Sequence, residues 1–437
     1  MLHSNQENFK EEKLKFIFFE VTPALKSTNF SCFAIGESVS FFGSWMMQIA
    51  SIWLVYQLTN SAVSVGVIGF ANQAMGLIIT PIAGVLLDRW NLRLVLLTTQ
   101  LLFILLSSAL TFLTVSDRIT VEWIIVIGLF QGIVKAFDLP ARQIILPRLI
   151  EKKADFTSAM AVHLLLMNTA KLFSPMIGGL LIAKAGVAPC FLINTISYLP
   201  LVSALLTIQM KPIIVNSLSK KLQIWKNLKE GFMYVYDFLP IKYVLILHIL
   251  VCFMAMTHIN LIPIFAKEIL NGNAEIMGFL MTASAFGSII ACLFLILQKT
   301  VINLEKIIAI SAAMLGLSLI LFSRSTKLEF CLVLMFFIGM NNSLTFATIN
   351  NFIQLVIINE DKRSRVTSIF STGFLGILPF GNLFFGELSN DVGVANALLF
   401  SGTSCILGAY FFAKQLPTIT KLVKPIYIQM GLIAEKA

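Results

Sequence analysis

Charge is what this chain has least of. Asp, Glu, Lys and Arg make up 12% of its 437 residues, about half of what an ordinary soluble domain carries. Histidine occurs four times and cysteine six. The cysteines (Cys32, Cys190, Cys252, Cys292, Cys331 and Cys405) all fall inside apolar runs, and none forms a Cys-x-x-Cys pair. This pattern reads as core packing and gives no basis for a disulfide or a metal centre. There is no Gly-x4-Gly-Lys-Ser/Thr loop, no His-Glu-x-x-His and no nucleophile elbow. The chain therefore has no nucleotide-hydrolysing loop of its own and no sign of enzymatic chemistry, and no cofactor is expected. The first 28 residues are polar and mixed in charge (Glu7, Lys10, Glu11, Glu12, Lys13). They lack the short apolar core of a secretory signal, so the first span is expected to serve as its own insertion signal.

In place of charge there is long apolar sequence. Mean hydropathy is +0.88. A hydrocarbon core of about 30 Å takes roughly 20 apolar residues per helical crossing. Twelve runs meet that need: 29–56, 62–87, 94–115, 121–138, 156–183, 188–209, 243–266, 275–297, 305–323, 329–357, 366–388 and 395–413. They are solidly apolar rather than alternating, which predicts helices and not barrel strands. The fold class is thus an all-α membrane protein. The expected organisation is an N-terminal tail (1–28), a six-helix bundle (29–209), a linker (210–242), a second six-helix bundle (243–413) and a C-terminal tail (414–437).

With the N-terminus inside, the inner segments hold 25 Lys and Arg and the outer ones 5, so both tails and the linker are expected in the cytoplasm. That topology accounts for the net charge of +10 and calls for no nucleic-acid partner. In the linker, Leu222, Trp225, Leu228/Lys229, Phe232 and Val235 recur at helical spacing, predicting an amphipathic helix on the inner membrane face. The halves are related: at an offset of 212, Ala62 matches Ala274, Gly66 matches Gly278, Ala71 matches Ala283 and Ile78 matches Ile290. Two six-helix repeats suit a transporter with a site between them.

Five stretches carry a family resemblance. They are Phe41–Ala50 (FFGSWMMQIA) with Trp53–Ser61, the hairpin Gly84–Arg93 (GVLLDRWNLR), Phe137–Gln143 (FDLPARQ) with Leu146 and Pro147, Asn168–Gly179 (NTAKLFSPMIGG), and Arg363–Ser368 (RSRVTS) with Gly376 and Pro379. In this order, on twelve spans, the set resembles the major facilitator superfamily, and within it the bacterial exporters that include enterobactin and macrolide efflux proteins. The chain departs from the pattern at Asn91-Leu92, where a Gly-Arg pair is usual, and at Ser174 and Ser364, which replace glycines. It also has Gly128 where many relatives carry a fourth-helix arginine. That removes the side chain a proton relay through this position needs.

The resemblance implies a secondary transporter of the bacterial inner membrane, monomeric and working by alternating access, with the proton as coupling ion. It makes the hairpin residues Gly84, Asp88, Arg89 and Arg93 a cytoplasmic gate, the other reading being an anchoring turn of the positive-inside kind. Gly84 would let two helices approach. It also makes Pro175, Gly178 and Gly179 an exporter-type bend in the fifth span, against the plainer reading of a generic membrane-helix kink.

In this fold helices 1, 4, 7 and 10 line the cavity. Polar stripes recur on three of them: Glu37, Ser40/Ser44, Gln48 and Ser51 on the first; Gln131, Lys135 and Asp138 on the fourth; Asn341, Thr345 and Thr348 on the tenth. Ser44, Gln48, Gln131, Lys135, Lys171, Asn341 and Thr345 are thus substrate-cavity candidates. Glu37, Asp138 and His258 are proton-coupling candidates, Glu37 first. The other reading of Glu37 is a fixed ion pair with Lys171 or Lys135. Lys171 also matches a basic position of the family's Asn-x-Ala-Arg pattern, where a structural role is the first reading. Two deep lysines against one deep carboxylate leave the interior positive by one, which suits an anionic or oxygen-rich cargo such as a siderophore. Multidrug or macrolide efflux, or import of a metabolite, are the alternatives.

Overall fold

The computed structural model describes residues 23–87, 89–208, 224–298 and 302–430. Asp88, most of the N-terminal tail, the first part of the linker and the last seven residues lie outside them. The described residues form helices and no strands. In chain order these are α1 (Thr28–Thr59), α2 (Ala62–Leu87), α3 (Leu92–Val115), α4 (Val121–Leu149), α5 (Phe156–Ala185), α6 (Ala188–Ser197), α7 (Leu199–Thr207), α8 (Ile224–Asp237), α9 (Leu239–Met254), α10 (His258–Glu268), α11 (Ala274–Leu297), α12 (Leu304–Ser323), α13 (Leu328–Val356), α14 (Glu360–Val392) and α15 (Val394–Gln429). Counting α6–α7 and α9–α10 as one crossing each, twelve helices are long and apolar enough to span a bilayer.

Several ends differ from the apolar runs. α4 continues to Leu149 through Pro140 and Pro147, eleven residues past the expected end at 138. α15 runs to Gln429 through the stretch expected to begin a tail. The seventh span is broken at 255–257, where Met256 N–H reaches back to the Val251 carbonyl at 3.3 Å. α2 and α11 begin at Ala62 and Ala274, equivalent positions of the repeat.

The chain divides into two compact units that do not follow the sequence halves. One takes in the described parts of Met1–Ser51 and Val126–Asn216, with Ile78–Ile119. The other takes in Ile52–Leu77, Thr120–Ile125 and the described part of Ser217–Ala437. In the first unit, Phe30, Phe33, Leu92, Leu96, Ile145, Leu146, Leu201 and Leu205 form one buried core between α1, α3, α4 and α7. Gly36 lets α1 sit directly on α7: a Cβ there would lie 2.7 Å from the Leu201 Cα.

In the second unit α2 packs directly on α14. A Cβ on Gly66 would lie 2.5 Å from the Asn382 carbonyl of α14, and Phe70 packs on Phe380. The linker helix α8 docks on the start of α14: Glu230 pairs with Arg365, and Lys362 lies 4.8 Å over the Tyr234 ring. Phe232, Met233 and Tyr236 stay exposed on its other side; of these, Phe232 belongs to the expected amphipathic stripe. Leu222 lies outside the described residues.

Candidate functional site

In the first unit, four helices deliver polar side chains to one buried point. α1 supplies Glu37 and Ser40 from successive turns, and α3 supplies Thr99 and Gln100. Because α4 continues past its apolar run, Asp138 and Arg142 fall at i and i+4 and meet. α5 supplies His163. All seven residues are buried.

Arg142 is the hub. Its Nε donates to Asp138 Oδ2 at 2.7 Å, and its Nη2 to Ser40 Oγ at 3.1 Å and Gln100 Oε1 at 3.3 Å. Asp138 Oδ1 accepts from Gln100 Nε2 at 2.6 Å and Thr99 Oγ1 at 2.9 Å. The guanidinium also lies 5.1 Å from the Phe41 ring centre, within cation–π range. Glu37 holds the looser side. Its Oε1 stands 3.7 Å from Arg142 Nη1, and neither of those atoms makes a hydrogen bond. Its Oε2 contacts His163 Nδ1 at 2.9 Å.

This bonded set contains two carboxylates and one guanidinium. Asp138 has the short contact to Arg142 and also interacts with Lys135, whereas Glu37 has the long contact to Arg142 and depends on it and on His163. A buried charge needs a partner, and the His163 ring is the one that faces Glu37 on the side away from Arg142. Among the described residues no group of His, Cys, Asp and Glu is arranged to hold a metal ion.

Glu37 pairs with Arg142 and His163. Arg142 belongs to the stretch 137–143, yet nothing in the sequence joins it or His163 to Glu37. Lys135 is half-buried one turn before Asp138 and acts on it electrostatically. Lys171 is half-buried two turns beyond His163 on α5. Ser44 contacts the Tyr198 hydroxyl at 3.1 Å, Gln48 is half-buried one turn further on, and Gln131 turns its amide to Met47 Sδ at 3.4 Å.

Two residues of the stripe on the tenth span are bonded within the second unit. Asn341 donates to the Phe337 carbonyl at 2.9 Å, and Thr345 bonds Ser311 of α12 at 2.8 Å. His258 lies at the break in the seventh span, where its Nδ1 meets the Ala255 carbonyl at 2.6 Å, so it belongs to the second unit and not to the carboxylate cluster.

Of the gate residues, Gly84, Arg89 and Arg93 lie among the described residues. A Cβ on Gly84 would meet nothing within 4 Å among the described residues, so this glycine marks no close helix approach here. Asp88 lies outside the described residues. Arg93 donates from Nη2 to the Leu206 carbonyl at 2.5 Å, capping the end of α7, while Arg89 is exposed in the turn before α3. Pro175 lies inside α5, and Gly178 and Gly179 are buried there. A Cβ on Gly178 would sit 3.7 Å from Met46, an ordinary contact, so room for a close neighbour is not what requires glycine at this position.

Comparison with known proteins matches this architecture. The sequence model of the family described as transmembrane secretion effector covers residues 21–424. A staphyloferrin A transporter of Staphylococcus aureus is 26% identical over 377 residues, spanning 85% of this chain and 93% of that protein. Macrolide efflux protein A of Streptococcus pyogenes is 23% identical over 379 residues, spanning 85% and 92%. Among solved structures, the nucleoside transporter NupG superposes with a TM-score of 0.68 at 15% identity, covering 89% of this chain and 99% of that one; at that identity the likeness is one of fold.

Proposed function

The chain belongs to the transmembrane secretion effector family and is a multi-pass small-molecule transporter of the major facilitator type; from that premise we propose that it exports a siderophore or similar oxygen-rich anionic metabolite in exchange for protons. The observation that carries the coupling is the contact between Glu37 and His163, a buried carboxylate that Arg142 holds only loosely and a ring nitrogen beside it. Loading a proton there neutralises the cluster. Losing it restores a charge that Arg142 meets only at 3.7 Å. Two states of different internal charge give alternating access its driving asymmetry.

Three features support the cargo and direction. Lys135, Arg142 and Lys171 outnumber Glu37 and Asp138 in this bundle, an interior suited to an anion. The staphyloferrin A transporter matches nearly end to end. Pro175 in the fifth span is the exporter-type feature. On this reading the protein is a monomer of the bacterial inner membrane, and the 25-to-5 basic-residue count supports both termini in the cytoplasm.

Macrolide efflux is the second reading, favoured by the match to macrolide efflux protein A. A deletion strain separates the two. The siderophore reading expects less siderophore in the medium, unchanged retention of macrolides and dyes, and loss of export on adding a protonophore. Normal siderophore secretion with macrolide hypersensitivity would select the second reading. Export that needs ATP after the proton gradient has collapsed would defeat both.

A further inference from the structure

The outer wall of the first unit carries a groove of about 620 Å³ between α3 and α4. Leu94, Val95 and Leu102 form one side, and Ile133, Val134 and Phe137 the other. At one end stand Arg89 and Trp90, with the Trp90 ring stacked on Phe137 at 6.0 Å. This groove touches the carboxylate cluster only through Thr99, and no step of the proposed transport uses it.

Its dimensions and chemistry are those of a lipid site. From Asn91 to Leu102 the α3 wall rises roughly 16 Å, at about 1.5 Å per residue. That is about half of a 30 Å hydrocarbon core, the depth of a single leaflet. The apolar walls fit an acyl chain. Trp90 sits where an amphipathic ring marks the headgroup level. Arg89 supplies a fork of donors that matches phosphate. The neighbouring Arg93 is turned to the Leu206 carbonyl, which leaves Arg89 as the cation lining the groove.

We propose that this groove binds an anionic phospholipid, one chain between α3 and α4 and its phosphate on Arg89. The inference stands whichever molecule is transported. Thr99 lines the groove and also donates to Asp138, so a bound chain braces the helix face that supports the proton-binding cluster.

Trp90 provides the probe. The protein is reconstituted in phosphatidylcholine vesicles into which brominated phosphatidylglycerol or brominated phosphatidylcholine is titrated. The Trp90 signal is the difference between the wild type and Trp90→Phe. Phosphatidylglycerol should quench it with about five-fold higher affinity than phosphatidylcholine, the preference one basic side chain near the surface confers. Arg89→Gln should abolish that preference and Arg89→Lys should retain most of it. Equal quenching by both lipids in the wild type would overturn the site. A preference that survives Arg89→Gln would overturn Arg89 as the headgroup ligand. Quenching displaced by added siderophore or macrolide, but not by phosphatidylglycerol, would make the groove a cargo site and likewise overturn the proposal.

Discussion

Tyr56 donates its hydroxyl hydrogen to Glu268 Oε1 at 2.6 Å, and the two residues stand 212 positions apart, the offset that relates the two halves of the sequence. Equivalent positions of a repeat thus meet each other across the ends of α1 and α10. The next residues in each strengthen the tie: Lys267 Nζ donates to Asn60 Oδ1 at 2.7 Å and lies 5.2 Å from the Tyr56 ring centre. With Gly66 against Asn382, this forms a clasp at one end of the second unit. The proposed topology puts that end on the outer side.

Tyr56→Phe removes the hydrogen bond and keeps the ring. The net loss is about 1 kcal/mol, which corresponds to roughly a five-fold shift between clasped and open forms. With Cys32 and Cys292 replaced by serine, a cysteine placed at Asn260 should react several-fold faster with a membrane-impermeant maleimide in Tyr56→Phe than in the unaltered clasp. An unchanged rate would mean that this hydrogen bond does not hold the outer end shut.

Arg142 makes three kinds of contact through one fork, to Asp138, to Ser40 and Gln100, and to Glu37. Arg142→Gln strands two buried carboxylates, and breaking a buried pair in this way costs about 3–5 kcal/mol. Thermal unfolding in detergent should show a large loss for Arg142→Gln. Arg142→Lys keeps the charge and loses the fork, so its loss should be smaller. Adding Asp138→Asn to Arg142→Gln should recover part of the stability. Strict additivity of the two changes would show that they do not share one network.

Glu305 at the start of α12 is fully buried and accepts hydrogen bonds from Thr420 at 3.1 Å and Tyr427 at 3.4 Å. Both donors belong to the part of α15 beyond 413. A chain ending at 413 should therefore lose thermal stability, and Glu305→Leu in that shortened chain should restore some of it, because the unpartnered carboxylate is then gone. Full stability of the shortened chain would make the end of α15 dispensable.

The twelve crossings were legible because lipid demands long apolar runs with every backbone group bonded internally, and such runs leave a plain mark on composition. Helix continuation beyond those runs was not legible. α4 passes through Pro140 and Pro147 because packing overrides the local cost of proline, and only then do Asp138 and Arg142 share a face. Had the helix been carried to 149, the i,i+4 pair would have pointed to Arg142 as the partner of the buried acids. α15 likewise continues through polar sequence, its inner side held by Glu305. Glu37 stood out as a deep carboxylate, but its partners come from α4 and α5, 105 and 126 positions away, and no periodicity within one helix encodes that. The stripe at Asn341 and Thr345 has the spacing of a cavity wall, but the spacing does not encode the Thr345–Ser311 bond, since a polar side chain inside a membrane bundle can also be satisfied by the neighbouring helix.

Glu37→Gln keeps the shape of the side chain and removes its charge and titration. The deciding measurement is substrate flux in proteoliposomes of the purified protein, with and without an imposed proton gradient directed against substrate movement. In the wild type the gradient should speed flux and drive substrate uphill. In Glu37→Gln, exchange down the substrate's own gradient should persist while the response to protons disappears. Uphill flux of Glu37→Gln at the wild-type rate under the same gradient would contradict the assignment of Glu37 and His163 as the site where the proton is carried.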